Sequence, residues 1–259
     1  MPAAAKSAKP DLARVRRYEA AGFRAWPAAA VHYDGTWVIR LTADHPAKRL
    51  NSVNPLDPND VVDLDARVAK AERRFEAYGQ RLTFRLSPLS GPILASYFDS
   101  RGWSTFSESI VMRLPLAEAP VRTAVDQVPI RDIGRFTTAA AQAHGLDQPQ
   151  HSGLSELLGR IQSDIGLFVL ESGGRPVASA ICVHDNDLAG FFEIATNVAQ
   201  RGKGYARRLV LSALKWAGAS GAREAWLQVE ADNEPAYRLY ASLGFSEVYR
   251  YHYRQPPEK

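Results

Sequence analysis

Residues 193–210 read E-I-A-T-N-V-A-Q-R-G-K-G-Y-A-R-R-L-V. An extended run over 191–198 breaks into a short basic turn spaced by glycines. A helix follows, with Ala206, Leu209, Val210, Ala213, Leu214 and Ala217 on one face at helical spacing. Gly202 and Gly204 carry no Cβ, so the backbone bends tightly there and its N–H groups can approach an anion. Arg201, Lys203, Arg207 and Arg208 surround the turn with positive charge. A helix N-terminus adds aligned, unsatisfied donors, and the whole reads as a phosphate cradle.

Two familiar cradles are excluded. A P-loop needs G-x-x-x-x-G-K-[ST], but Gly202-Lys203 is followed by Gly204. The dinucleotide fingerprint G-x-G-x-x-G needs glycine where Arg207 stands. What remains, R-x-x-G-x-A over 201–206, also fits an ordinary basic strand-to-helix turn, so the downstream sequence decides. Residues 225–231 (A-W-L-Q-V-E-A) predict a strand. Residues 233–245 read N-E-P-A-Y-R-L-Y-A-S-L-G-F, with Asn233 as N-cap, Pro235 in the first turn and Gly244 closing a helix. Together the two stretches resemble the pyrophosphate loop and the N-x-x-A-x-x-L-Y-x-x-L-G-F motif of the GNAT superfamily of acyl-CoA-dependent N-acyltransferases. Val198 departs from the pattern, standing where many members have proline.

Composition fits a folded protein without narrowing its partner. At 259 residues and 46% hydrophobic, the chain can build one large domain or two small ones. Lys+Arg 32 against Asp+Glu 28 is too even to imply nucleic acid. The single cysteine, Cys182, excludes an intrachain disulfide and a cysteine metal cluster; it sits in an apolar run, as a core residue or a free thiol. No metal is expected, since the six histidines show no paired spacing. No run has the apolar length of a membrane span, and residues 1–10 form a loose tail without a signal-peptide core. The expectation is a cytoplasmic protein, with a homodimer left open.

Taken in order, helical spacing runs over 11–21 and stops at Gly22; strands are predicted over 36–42 and 49–54, a helix over 61–75, a strand over 81–87, a short helix over 93–100 and a long strand over 105–116. The C-terminal half repeats this order, and Gly102 and Gly244 stand 142 positions apart. That is an internal duplication, with 117–127 as linker. The same shift sets 201–206 on N-D-V-V-D-L (59–64), where no glycine or basic residue stands and Asp57, Asp60 and Asp63 would repel a diphosphate. Tyr240 falls on Phe98. Between linker and cradle, helices over 130–144 and 152–163 precede a hairpin, 167–171 and 175–183, joined at Ser172-Gly173-Gly174.

The fold expected is therefore α/β, an α+β mixed sheet built as two tandem GNAT-like domains. Residues 1–117 are the degenerate copy and 126–259 the catalytic one. Residues 48–56, K-R-L-N-S-V-N-P-L, look like the matching strand of bacterial tandem acetyltransferases. The resemblance implies acetyl-CoA as cosubstrate and acetyl transfer to a primary amine of a small molecule or peptide. It implies a cradle strand that splays from its neighbour, so that the main chain at Ile194, Ala195 and Thr196 grips the thioester arm. The diphosphate falls to Arg201, Gly202, Lys203, Gly204, Tyr205 and Ala206, and Asn233 caps its helix, touches the ligand, or does both.

The resemblance places Tyr240 beside the CoA sulfur, which makes it the expected general acid: a phenol near pKa 10 keeps its proton at neutral pH and can give it to a departing thiolate. The other reading makes Tyr240 part of the apolar face with Ala236, Leu239 and Leu243. Glu193, the one carboxylate of the cradle strand, is the candidate base; alternatively it pairs with a nearby arginine. The resemblance also implies acceptor contacts from 136–165, where His144 and His151 flank a Gly/Pro loop. The rival reading is a non-catalytic acyl-CoA-binding sensor or scaffold.

Overall fold

The computed structural model describes residues 10–43, 45–144 and 152–258. The chain runs α1 (Leu12–Ala25), β1 (Ala30–Asp34), β2 (Trp37–Leu41), β3 (Ser52–Pro55), α2 (Leu64–Ala77), β4 (Phe84–Leu86), α3 (Gly91–Asp99) and β5 (Ser104–Pro115). It continues with α4 (Ile133–His144), α5 (Ser152–Arg160), β6 (Asp164–Ser172), β7 (Arg175–Asp185), β8 (Leu188–Thr196), α6 (Tyr205–Ala219), β9 (Glu224–Glu230), α7 (Glu234–Ser242) and β10 (Ser246–Gln255). This is a mixed α/β fold with a large mixed sheet. No helix among the described residues is long and apolar enough to cross a membrane.

Two compact units divide the chain, and their limits differ from 1–117 and 126–259. Unit 1 holds Met1–Ala20, Ala28–Ile110 and Val248–Lys259; unit 2 holds Ala21–Pro27 and Val111–Glu247. The physical reason is β10, whose His252, Tyr253 and Arg254 pair antiparallel with Leu86, Arg85 and Phe84 of β4.

In unit 1 the strand order is β1-β2-β3-β4-β10-β5, with β3 and β4 parallel. Trp37, Ile39, Val53, Phe84 and Leu86 form one core with Val68 and Phe75 of α2 and Leu94 and Phe98 of α3. Strand alternation turns Arg85 away from Phe84 and Leu86. Arg85 pairs instead with the buried Glu19 of α1, which also accepts from Tyr249 Oη at 2.6 Å, and the Arg85 guanidinium lies 3.6 Å from the Tyr251 ring centroid. Tyr249, Tyr251 and Tyr253, two residues apart along β10, are all buried.

In unit 2 the order is β5-β9-β8-β7-β6, with β8 and β9 parallel and β6, β7 and β8 antiparallel. Val177–Val183 of β7 is buried throughout, as a strand covered on both faces requires. Cys182 lies there as a core residue, and burial pushes its thiol well above the ordinary range.

Some local expectations change. Gly22 does not end α1; it lies inside the helix, where a Cβ would come within 3.4 Å of the Trp226 ring. Lys48–Leu50 is a 3₁₀ turn rather than the start of a strand, because the Asn51 side chain accepts from Thr42 N–H (2.7 Å) and donates to His45 C=O (2.6 Å). β1 was not foreseen. The local conformations of the two halves repeat: α2 and α6 start 141 positions apart, α3 and α7 143, and β5 and β10 142. Both α2 and α6 are entered from a left-handed residue, Asp63 (φ 51°) and Gly204 (φ 75°).

Candidate functional site

The site is built along β8. Its ladder with parallel β9 runs from Leu188↔Glu224 to Phe191↔Leu227 and stops. On its other edge β8 stays paired to β7, through Ser179↔Ala195 and Ala178↔Thr196. From residue 192 onward, the edge of β8 facing β9 carries no ladder, which leaves main-chain groups there for a ligand. The register shifts between Ser179 and Ile181, and Glu193 adopts φ 48°. That is a β-bulge: an extra residue that re-aims side chains and sharpens the strand's bend.

After Thr196 the chain folds into a single 3₁₀ turn. Asn197 Oδ1 accepts from Ala199 N–H at 3.0 Å, and Asn197 Nδ2 donates to Gln142 C=O of α4 at 3.1 Å. Gly202 (φ 79°) and Gly204 (φ 75°) then take left-handed conformations, and a Cβ on either would meet no protein atom within 4 Å. Gly204 has no side chain to cap α6, and the first intrahelical bond is Arg208 N–H to Gly204 C=O at 3.0 Å. The amides of Tyr205, Ala206 and Arg207 precede that bond, at the positive end of the helix dipole.

Between β8, this turn, α6 and α7 lies a cavity of about 590 Å³. Ile194, Ala195, Thr196, Arg201, Gly202, Gly204, Tyr205, Ala206, Asn233 and Tyr240 all line it. Lys203 does not; its ammonium donates to Gln200 Oε1 at 2.8 Å. Asn233 caps α7, accepting from Ala236 N–H at 3.2 Å, and faces the cavity as well. Tyr240 is buried, packs edge-on to Phe245 at 6.0 Å, and burial pushes its phenol up to about 12. Ala236 and Leu239 line the cavity beside it, so the apolar face and the cavity wall coincide.

Glu193 is not part of the lining. The bulge interrupts the side-chain alternation of β8, and the carboxylate meets a histidine rather than an arginine: His144 Nε2 lies 3.5 Å from Glu193 Oε2. His144 itself lines the cavity, together with Ala143. Sequence reasoning held His144 to a loop flank and missed this pairing, for which a separation of 49 positions gives no local signal. Arg207, one of the cations expected around the turn, lines the cavity, and Gln200 and Pro235 line it unforeseen. His151 lies outside the described residues. Among those described, no group of three or more His, Cys, Asp or Glu could hold a metal ion.

Residues 137–245 match the acetyltransferase (GNAT) family. Over 94% of its length the chain is 24% identical to the uncharacterized N-acetyltransferase YobR of Bacillus subtilis, covering 98% of that protein. Among solved structures, a GCN5-related N-acetyltransferase from Kribbella flavida superposes with TM-score 0.71 at 18% identity, over 97% of this chain and 98% of that one. A tandem GNAT protein from the clavulanic acid biosynthesis pathway superposes with TM-score 0.64 at 15% identity, over 93% and 88%.

Proposed function

We propose, from the premise that residues 137–245 are a domain of the GNAT acetyltransferase family, that this N-acetyltransferase moves an acetyl group from acetyl-CoA to a primary amine of a small molecule or peptide. One observation carries the reading. A single cavity joins the glycine turn 202–204 to the Tyr240 phenol along the unladdered edge of β8. GNAT enzymes use acetyl-CoA as cosubstrate, and this site has the parts to hold it. The α6 amides and Arg201 meet the diphosphate, where Gly202 and Gly204 leave room. Main-chain groups at Ile194, Ala195 and Thr196 hold the thioester arm, and a donor there stabilises charge developing on the carbonyl oxygen. Binding both reactants in one cavity contributes several kcal/mol, roughly, through orientation. Tyr240 then gives its proton to the departing sulfur.

The N-terminal half is, in this reading, a degenerate copy without a cofactor site. A Cβ built on Gly91 would meet Pro58 Cβ at 2.6 Å, so the entrance to α3 is packed with protein where the matching position at α7, Asn233, faces a cavity. Asp60, beside the matching turn, is held by Arg67 at 2.8 Å and Thr36 N–H at 2.8 Å.

The test is release of CoA from acetyl-CoA on incubation with pooled amines and peptides. Turnover with at least one amine is expected. Tight CoA binding without transfer to any amine would instead identify an acyl-CoA-binding sensor or scaffold.

A further inference from the structure

We infer that His144 is the group that takes the acceptor's proton and that Glu193 stands behind it as a positioning residue; this rests on the acetyl-transfer reading above. Of the two, only the imidazole faces the cavity. Its Nε2 is buried, lies 3.5 Å from Glu193 Oε2, and has no hydrogen-bond partner among the described residues. The φ of 48° at Glu193 is a conformation that disfavours any residue with a Cβ, and the bulge that imposes it points the carboxylate at the end of α4. The Asn197–Gln142 hydrogen bond ties the end of β8 to the same turn of α4, holding the pair together. Around the cavity the other titratable side chains are Arg201 of the turn, Tyr205 and Arg207 of α6, and Tyr240 of α7. The arginines carry only donors and belong to the cradle, whereas an imidazole can donate from one nitrogen and accept a proton on the other.

A neutral imidazole with its Nε2–H toward the carboxylate keeps a lone pair on Nδ1. The carboxylate fixes the tautomer, as the orienting third group does for other base dyads. A 3.5 Å contact in the free protein is of the loose kind that tightens once substrate is bound. The amine nitrogen forms the C–N bond at the thioester carbonyl carbon and loses one proton to His144 Nδ1. The C–S bond breaks, and the sulfur keeps the electron pair and takes the Tyr240 hydroxyl proton. The imidazolium proton passes through solvent to the phenolate, restoring both groups.

The experiment compares the full chain with His144→Gln and Glu193→Gln, using the best amine from the pooled screen and CoA binding as a control for folding. His144→Gln is expected to lower kcat/KM at pH 7 by about 100-fold or more and to abolish the acidic limb of the pH profile, with CoA affinity unchanged. Imidazole should restore part of the rate to His144→Gly. Glu193→Gln should lower the rate less and move the acidic limb. A His144→Gln chain within threefold of the parent rate, with the limb intact, overturns the assignment. Nitrogen NMR of the imidazole decides independently of turnover: an Nε2–H tautomer that is lost in Glu193→Gln supports the pair, and an Nδ1–H tautomer overturns it. If the parent chain binds CoA and acetylates no amine, acetyl transfer is rejected on its own terms, while the tautomer still decides the pair.

Discussion

At Tyr240, substitution by phenylalanine removes one oxygen and leaves the ring against Phe245. We expect kcat to fall by roughly 100-fold, the low end for a lost general acid, with the CoA dissociation constant within twofold by calorimetry; an unchanged rate would reject the acid role. Because burial pushes this phenol up to about 12, the proton is present throughout the physiological range. The basic limb of the rate profile due to Tyr240 should therefore lie well above pH 10. Gly204→Val acts differently. Its φ of 75° strains a residue with a Cβ by about 1–2 kcal/mol, yet no protein atom lies within 4 Å of that Cβ. The chain should still fold, with Tm lowered by a few degrees, while CoA binding is lost. Intact binding would remove the diphosphate from this turn.

Among the elements, α7 and the β3–α2 connection give separate tests. Asn233→Ala removes the cap that accepts from Ala236 N–H and should cost about 1 kcal/mol in urea unfolding. Burial alone raises the Asp60 carboxyl, but hydrogen bonds from Arg67 and Thr36 outweigh it and hold it at about 2. An unfolded aspartate titrates near 3.9, so this stabilisation is complete above about pH 4 and is lost as pH falls toward 2. Asp60→Asn should flatten that part of the thermal-unfolding profile. Local sequence revealed α6, α7, the glycine turn, Asn233 and Tyr240, since caps, helical spacing and glycine each act within a few residues. The end of the β8–β9 ladder follows the splay that the family resemblance implied, but the bulge at Glu193 and the His144 contact depend on segments far apart in sequence, and no local pattern encodes them. Gly22 misled for the same reason: it serves Trp226, some two hundred positions away, rather than its own helix.

For the whole molecule, a packed entrance to α3 and an open glycine turn before α6 predict a single CoA per chain, checked as the calorimetric stoichiometry; two equivalents would overturn the degenerate reading of the N-terminal half. A fragment of residues 1–117 should not fold as a unit, since it lacks the buried Tyr249, Tyr251 and Tyr253 and the strand that pairs with β4. Circular dichroism and hydrogen exchange would show it. The placement of β10 also sets an order of events during synthesis. Leu86 and its partner His252 are 166 positions apart, on the order of ten to thirty seconds of elongation at about 5–20 residues per second. Throughout that interval the nascent β4 offers an unoccupied row of amides and carbonyls to any passing strand. The second unit has every residue it needs before the first does, so the earlier-made part of the polypeptide waits on the ribosome for its last strand.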